Sequence, residues 1–489
     1  MIDPNRKAIR QGLAWGTGGK FLLMLSNLLT LMVTSRLLGA AEFGIYAMAL
    51  VFADFCIGFA NSTLGTTLVT RKNLDEDGLK AGFASFLILS ILLAGFIGLG
   101  AEHWSRLVGM PDMAPVLRVV VLVLPLRFIS SYLGAILMRE MELKTHQISQ
   151  SFPQILGGVA TILGAISGLG VWCLVVGVLV ASLAEFIFLF CRTKAPMGLP
   201  SSFKPVLDLF GSSAGISASR VISFFAANVD RVLVGGQIGA EALGVYSRAF
   251  GLMMVPFKLF GVTFGRVFLS AFSRIKPQDP AFASLMSRIL AVQGIVYIPA
   301  SVGLFLTADI LVRLILGPNW AEAIPLAQFL FAAMFARMGY EVCENILFAA
   351  GEAWLVTVRQ ICLFLLLLTF CIAGFSLNGL IGVAAGVSSA FIVYYILSLI
   401  QIVRLFLGDW ALVIKGHVIG LAIAFSCAAL TIMLWKLATG VFFPTELTGK
   451  ILWPTIYWSL VLGVLLGLPE SVCGEEIANM RKRFLRRAE

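Results

Sequence analysis

The sequence predicts an all-α polytopic membrane protein with 14 transmembrane helices, arranged as two parallel six-helix lobes plus two C-terminal helices. Three observations carry that prediction: an apolar fraction no soluble core absorbs, a series of runs of bilayer length, and an internal duplication. Of 489 residues, 59% are hydrophobic and 13% charged, and the mean hydropathy is +0.96. Soluble domains carry roughly 45–50% apolar and about 25% charged residues. The 36 Lys+Arg against 26 Asp+Glu leave a net charge of +10. Nucleic-acid binding needs a solvated basic face, which a chain this apolar does not offer, so no nucleic-acid partner is expected.

A helix crossing the hydrocarbon core needs about 20 mainly apolar residues. The chain offers such runs at 13–37, 43–69, 81–101, 115–138, 150–169, 171–191, 208–234, 241–271, 285–307, 322–349, 355–375, 378–403, 412–438 and 450–468. The hydrophilic stretches between them are too short for a soluble domain. The first run is long and lacks a cleavage-site pattern after it, so it reads as a retained span rather than a signal peptide. These runs define an N-lobe at 1–200 (spans 1–6), a C-lobe at 201–404 (spans 7–12), extra spans 13 and 14 at 405–468, and a basic tail at 469–489.

Loop charge sets the orientation. Counted by side, 22 Lys and Arg fall with the N-terminus, Arg359 among them, and four (Arg106, Arg313, Lys436 and Lys450) fall opposite. Under the positive-inside rule both termini are cytoplasmic.

Cysteine and histidine offer no chemistry. Seven of the eight cysteines lie inside apolar runs, where Cys behaves as a small hydrophobe. No CxxC pair occurs, and His103, His146 and His417 are scattered. Neither a metal site nor a catalytic constellation is expected.

Duplication appears at the ends of spans 1 and 7. Leu37 opens LLGAAEFGIYAMA and Gln237 opens QIGAEALGVYSRA, so Gly39, Gly44 and Tyr46 match Gly239, Gly244 and Tyr246 at an offset of 200 residues. Phe43/Leu243 and Ile45/Val245 are conservative pairs. Gly-x-Tyr turns are common at membrane interfaces, but six matched or similar positions in a short ungapped window favour duplication. Spans 1 and 7 start on the same side, so the repeats are parallel.

Ten basic residues remain within the spans: Lys20, Arg36, Arg118, Arg127, Arg220, Arg231, Arg248, Lys258, Arg266 and Arg337. The clear intramembrane acids are Asp54, Glu185, Asp230, Glu341 and Glu344. A charge at mid-membrane costs about 2.5–3.5 kcal/mol on insertion scales, so such residues face a bundle interior or a wet cavity. Snorkelling accounts for charges near span ends, but not for Arg127 and Arg337.

At the same offset of 200, Lys20 pairs with Arg220, and each belongs to a polar stripe at helical spacing. On span 1 the stripe is Lys20, Asn27, Thr30 and Thr34; on span 7 it is Ser213, Ser217, Arg220, Ser223 and Asp230. Two readings fit: a cationic cavity lined by both helices, or buried polar packing between helices. Arg127 and Arg337 pair less closely, at offset 210. Arg337 precedes Glu341 by one turn, with Glu344 and Asn345 one turn on, so a local ion pair and a proton-coupling carboxylate are both open. Asp54 is the other ion-coupling candidate. The clusters Gly157–Gly158–Gly164 and Gly379–Gly382–Gly386 read as close helix packing, and Pro125, Pro153, Pro256, Pro299 and Pro325 as possible kinks.

Arg36-Leu-Leu-Gly39 leading to Phe43-Gly-Ile-Tyr46, and Asn228-Val-Asp230-Arg231 leading to Gly239 and Leu243-Gly-Val-Tyr246, resemble the polysaccharide (Wzx-type) flippase family. That family belongs to the multidrug/oligosaccharidyl-lipid/polysaccharide exporter superfamily. The resemblance implies a multi-pass protein of the bacterial inner membrane that moves an undecaprenyl-diphosphate-linked oligosaccharide by alternating access. It implies no cofactor beyond an H+ or Na+ gradient, and as partners the anionic lipid-linked oligosaccharide, a polysaccharide polymerase and a chain-length regulator. It places lipid-diphosphate contacts at Lys20 and Arg220; Arg127, Arg337, Asn27, Asp230 and Arg248 complete the candidate substrate set, with Asp54, Glu341 and Glu344 for ion coupling. Lipid II flippases of the superfamily carry more arginine along span 1, where this chain has Asn27 and Thr30.

Two alternatives differ in chemistry. A multidrug exporter for cationic drugs calls for acidic cavity residues, yet embedded bases outnumber acids ten to five. A membrane glycosyltransferase or glycan polymerase calls for catalytic groups on substantial loops, which the spacing of the runs leaves no room for.

Overall fold

The computed structural model describes residues 4–71, 75–202, 204–258, 272, 275–441 and 446–467; the side chains of 4–18, 20–21, 62–63, 204–205, 207–220, 353, 435–441, 446–452 and 466 lie outside that description. Among the described residues the secondary structure is helical, without strands. The chain divides into two compact units, Met1–Ser247 with Ile315–Asn319, and Arg248–Leu314 with Trp320–Glu489.

In the first unit, α1 (Pro4–Leu37) opens on a proline, which a first helical turn tolerates because that N–H has no intrahelical acceptor. After a short break α2 (Ala40–Ala60) begins, where the Glu42 carboxylate accepts the Gly39 N–H at 2.8 Å. A π turn, Asn61–Gly65, leads into α3 (Thr66–Thr70). Helix α4 (Glu76–Leu99) starts on Asp75, whose carboxylate accepts the Gly78 N–H at 2.9 Å. Then follow α5 (Ala101–Leu107), α6 (Met113–Val121), α7 (Val123–Arg139), α8 (Leu143–Ile166) and α9 (Trp172–Arg192). Arg139, at the end of α7, donates to the carbonyls of Leu68 and Arg71 at 3.0 and 2.5 Å and so ties α7 to α3.

Helices α8 and α9 meet through small residues: a Cβ on Gly157 would stand 2.6 Å from the Gly177 carbonyl, and one on Gly164 would stand 2.9 Å from Cys173 Cβ. The helix of the seventh predicted span, α10 (Lys204–Gln237), packs within this unit against α2 and α4. Helix α11 (Ala240–Pro256) follows.

The second unit contains α12 (Pro280–Leu311), capped by Asp279 through the Ala281 N–H at 2.8 Å. Next come α13 (Ala323–Ala332), α14 (Met334–Ala349), α15 (Ala353–Leu405), α16 (Trp410–Val441) and α17 (Glu446–Gly467). Helices α13 and α14 bend by 43° at Ala333. Pro325, expected as a kink, sits instead in the first turn of α13, where it disrupts nothing.

Helix α15 is two helices joined at Asn378 (φ −151°, ψ 37°) and Gly379 (φ 50°, ψ −129°). Its limbs fold back on each other: a Cβ on Gly374 would overlap the Gly382 carbonyl, and one on Gly386 would overlap that of Phe370. Gly382 and Gly386 are therefore packing glycines, whereas Gly379 supplies the left-handed turn.

Seven helices among the described residues are long and apolar enough to cross a bilayer, and the bent pair α13–α14 makes an eighth. This is a multi-pass membrane protein. Large apolar side chains such as Leu92, Phe96 and Leu99 point outward, as a face solvated by lipid requires. Inside sit Phe43, Phe86, Phe128 and Tyr132 in the first unit, and Phe282, Phe331, Tyr395 and Tyr457 in the second. One charge departs from its expected place. Arg359, counted as a loop residue for the orientation, is buried in the first limb of α15 and donates to Ser398 of the second.

Candidate functional site

The duplication extends to the helix ends. Helices α1 and α10 each have 34 residues and run Pro4–Leu37 and Lys204–Gln237; α2 and α11 begin at Ala40 and Ala240. Every one of these bounds repeats at an offset of 200. Lys20 and Arg220 thus occupy the same place in their helices, about 25 Å of helix from the α1–α2 and α10–α11 turns. Their side chains lie outside the described residues, as do those of Ser213 and Ser217.

The two turns meet in unit 1. A Cβ on Gly44 would overlap the Ala240 carbonyl, and one on Gly244 would overlap the Ala40 carbonyl. Both pairs of partners are repeat mates, so the contact has local twofold symmetry. Glycine is required at each position because only a missing side chain lets two backbones approach so closely.

The polar stripe of α1 divides. Asn27 is exposed. Thr30 and Ser26 instead face Gly158 of α8, whose Cβ would meet Thr30 Oγ1 at 2.8 Å and Ser26 Oγ at 3.2 Å. The Thr30 hydroxyl donates to the Ser26 carbonyl at 2.9 Å, and Thr34, which is buried, donates to the Thr30 carbonyl at 2.7 Å. A threonine that bonds its own helix backbone is satisfied without a cavity.

On α10, Asp230 is 3% exposed and accepts the Tyr246 hydroxyl at 2.5 Å. Asn228 donates to the Phe224 carbonyl at 3.0 Å and accepts from Arg231 at 3.2 Å. Asp230 and Tyr246 join α10 to α11. Arg248 is half-buried on α11.

Deeper in the first unit, Arg127 of α7 donates to Ser182 of α9 at 3.0 Å. Its charge reaches both Asp54 of α2 and Glu185 of α9, and Arg231 also acts on Asp54. Asp54 and Arg127 line one small cavity with Leu50, Ala53 and Val178.

The second unit holds its own polar cluster. The Arg337 guanidinium lies 4.3 Å from the Phe257 ring centroid and 4.7 Å from that of Tyr340, and pairs with Glu341 at 3.3 Å. Glu344 is 8% exposed and accepts from Gln360 at 2.7 Å and from the Tyr394 hydroxyl at 3.1 Å. Arg359 lies over the Tyr394 ring at 5.4 Å. Sequence reading found Arg337, Glu341 and Glu344; it missed Arg359, Gln360 and Tyr394, because their partners lie on other helices and no local spacing marks them. Ser182 escaped for the same reason. Among the described residues no group of His, Cys, Asp and Glu is placed to hold a metal ion.

Comparison with known proteins agrees with this architecture. The succinoglycan biosynthesis transport protein ExoT of Rhizobium meliloti (strain 1021) is 23% identical over 326 residues, which is 67% of this chain and 66% of that protein. The lipopolysaccharide biosynthesis protein WzxC of Escherichia coli (strain K12) is 21% identical over 406 residues, 83% and 82% of the two chains. A structure of the lipid II flippase MurJ in an inward closed conformation aligns with a TM-score of 0.75 at 14% identity, covering 92% of this chain and 98% of that one. An inward-facing multidrug resistance MATE family transporter of the MOP superfamily aligns at 0.65 and 14% identity, covering 78% and 94%. These likenesses establish the fold. A sequence model described as polysaccharide biosynthesis protein matches residues 33–325, and the chain belongs to that family.

Proposed function

We propose that the protein is a flippase that carries an undecaprenyl-diphosphate-linked oligosaccharide from the cytoplasmic to the periplasmic leaflet of the bacterial inner membrane, by alternating access, for surface polysaccharide synthesis. The observation that carries the reading is the pair Lys20 and Arg220, two cations at one position in two helices of equal length and matching bounds. A lipid diphosphate is an anion with several acceptor oxygens, and buried Lys and Arg are its natural partners. Relatives named for succinoglycan, lipopolysaccharide and teichuronic acid biosynthesis support a surface glycan as cargo.

Asn27 and Arg248 are the flanking substrate contacts in this reading. Asp54 with Arg127, and Glu341 with Glu344, are the sites through which an H+ or Na+ gradient drives the cycle. Both termini face the cytoplasm, and a glycan polymerase with its chain-length regulator receives the product.

The test is glycan export in cells carrying Lys20→Ala, Arg220→Ala or both. Each single variant is expected to lose most surface glycan at an unchanged membrane level of the protein. Wild-type export by the double variant overturns the reading.

A further inference from the structure

Gln293 of α12, Tyr395 of α15 and His417 of α16 form a hydrogen-bonded chain in the second unit, separate from the charged cluster above. His417 Nδ1 stands 2.8 Å from the Val413 carbonyl oxygen. A carbonyl only accepts, so this nitrogen carries the ring hydrogen, and in the neutral ring Nε2 is left as the acceptor. It takes the Tyr395 hydroxyl hydrogen at 2.7 Å. The Tyr395 oxygen in turn accepts from Gln293 Nε2 at 3.0 Å. Gln293 is 4% exposed, and its Oε1 has no hydrogen-bond partner among the described residues. A buried amide oxygen left unmatched requires an explanation.

Four helices close on this chain. A Cβ on Gly339 of α14 would overlap Gln293 Nε2 and the Tyr395 ring. On Gly294 of α12 it would stand 2.9 Å from His417 Cα, and on Gly416 it would overlap the Ala291 carbonyl. The titratable groups around the chain are few. Tyr297 of α12 and Cys343 of α14 lie within electrostatic reach of Tyr395. On α17, Tyr457 gives its hydroxyl to the Pro299 carbonyl at 2.8 Å. Arg288 of α12 and Lys415 of α16 are exposed, and no ion pair among the described residues includes His417.

We propose that Gln293, Tyr395 and His417 are a proton-binding site that ties α16 to α12 and α15 and reverses its hydrogen bonds when occupied. A proton from water adds to the Nε2 lone pair of His417. The new Nε2–H donates to the Tyr395 oxygen, and the tyrosine hydroxyl hydrogen swings to the other side. There the Gln293 amide turns over and presents Oε1, which is the unmatched oxygen of the neutral state. The two links of the chain are kept and only their direction changes, so the imidazolium is accommodated without loss of a bond. His417 lies beyond the duplicated stretch. The site uses none of the residues assigned to the cargo, and its failure leaves the flippase reading standing.

Because the chain has three histidines, 15N-histidine NMR of the full-length protein in lipid nanodiscs resolves each ring, with His417→Asn as the assignment. At pH 8 the hydrogen of His417 is expected on Nδ1, and acidification should protonate Nε2 in one transition. Gln293→Leu removes the oxygen that must accept from Tyr395, and should move the midpoint by about one pH unit, the scale of a single hydrogen bond. Tyr395→Phe, which removes the relay, should move it as well. A hydrogen on Nε2 at pH 8, a ring that stays in one state between pH 5 and 8, or a midpoint unchanged in both variants overturns the proposal.

Discussion

Gly44 of α2 and Gly244 of α11 are repeat mates, and each lies against the carbonyl of the residue that starts the other's helix, Ala240 and Ala40 respectively. One contact is therefore made twice, by two copies of one turn facing each other. It leaves no room for a methyl group on either side.

Gly44→Ala and Gly244→Ala should each destabilise the protein by about 1–3 kcal/mol, the usual cost of overpacking. Thermal unfolding of purified protein in detergent measures this. The double variant should cost less than the sum, because the first separation of the turns relieves the second contact. Additive losses would mean that the two contacts are independent.

Tyr246→Phe removes the hydroxyl that reaches the buried Asp230 carboxylate. The expected loss is about 1–3 kcal/mol, since a buried acceptor is left unmatched. Asp230→Asn keeps an acceptor for the same hydroxyl and should lose less. Comparing the two melting transitions separates the hydrogen bond from the packing of the ring.

Arg337→Lys tests whether the guanidinium is held by stacking or by charge. Lysine keeps the pairing with Glu341 but loses the flat contact with Phe257 and Tyr340. A drop of about 1–2 kcal/mol is expected. Glu341→Gln should cost under about 1 kcal/mol, because the Glu341 side chain is 36% exposed.

Arg127→Ala removes one of the two cations acting on Asp54 and the cation acting on Glu185. Transport of lipid-linked oligosaccharide in proteoliposomes should fall on the order of tenfold, about 1.4 kcal/mol in barrier. Ser182→Ala removes only a hydrogen bond to Arg127 and should retain most activity. Equal losses in the two variants would assign Arg127 a positioning role alone.

The helical architecture and the duplication were legible in the sequence because both are written locally. Apolar runs report helices residue by residue, and the offset of 200 shows in glycines and a tyrosine that sit close together along each copy. The polar stripe of α1 was legible as a stripe, with cavity lining and inter-helix packing both open as its use. Thr30 and Thr34 turn their hydroxyls onto their own backbone, an option any helical threonine has, and Thr30 packs against Gly158 of α8. Arg359 looked like a loop charge because it stands near the start of an apolar run; its partner Ser398 is 39 residues on. The chain from Gln293 through Tyr395 to His417 was beyond sequence reading altogether. Its members lie on three helices, and the first two are 102 residues apart.

The hairpin in α15 bears on how the chain is made. Its limbs meet through Gly374 and Gly382, only a few residues either side of the Asn378–Gly379 turn. Both limbs are mainly apolar and meet across a short turn, so little loop entropy opposes their pairing. As the ribosome delivers this stretch, the two limbs are able to enter the bilayer together as a ready-paired hairpin, and α13 and α14 then have a finished surface to assemble upon.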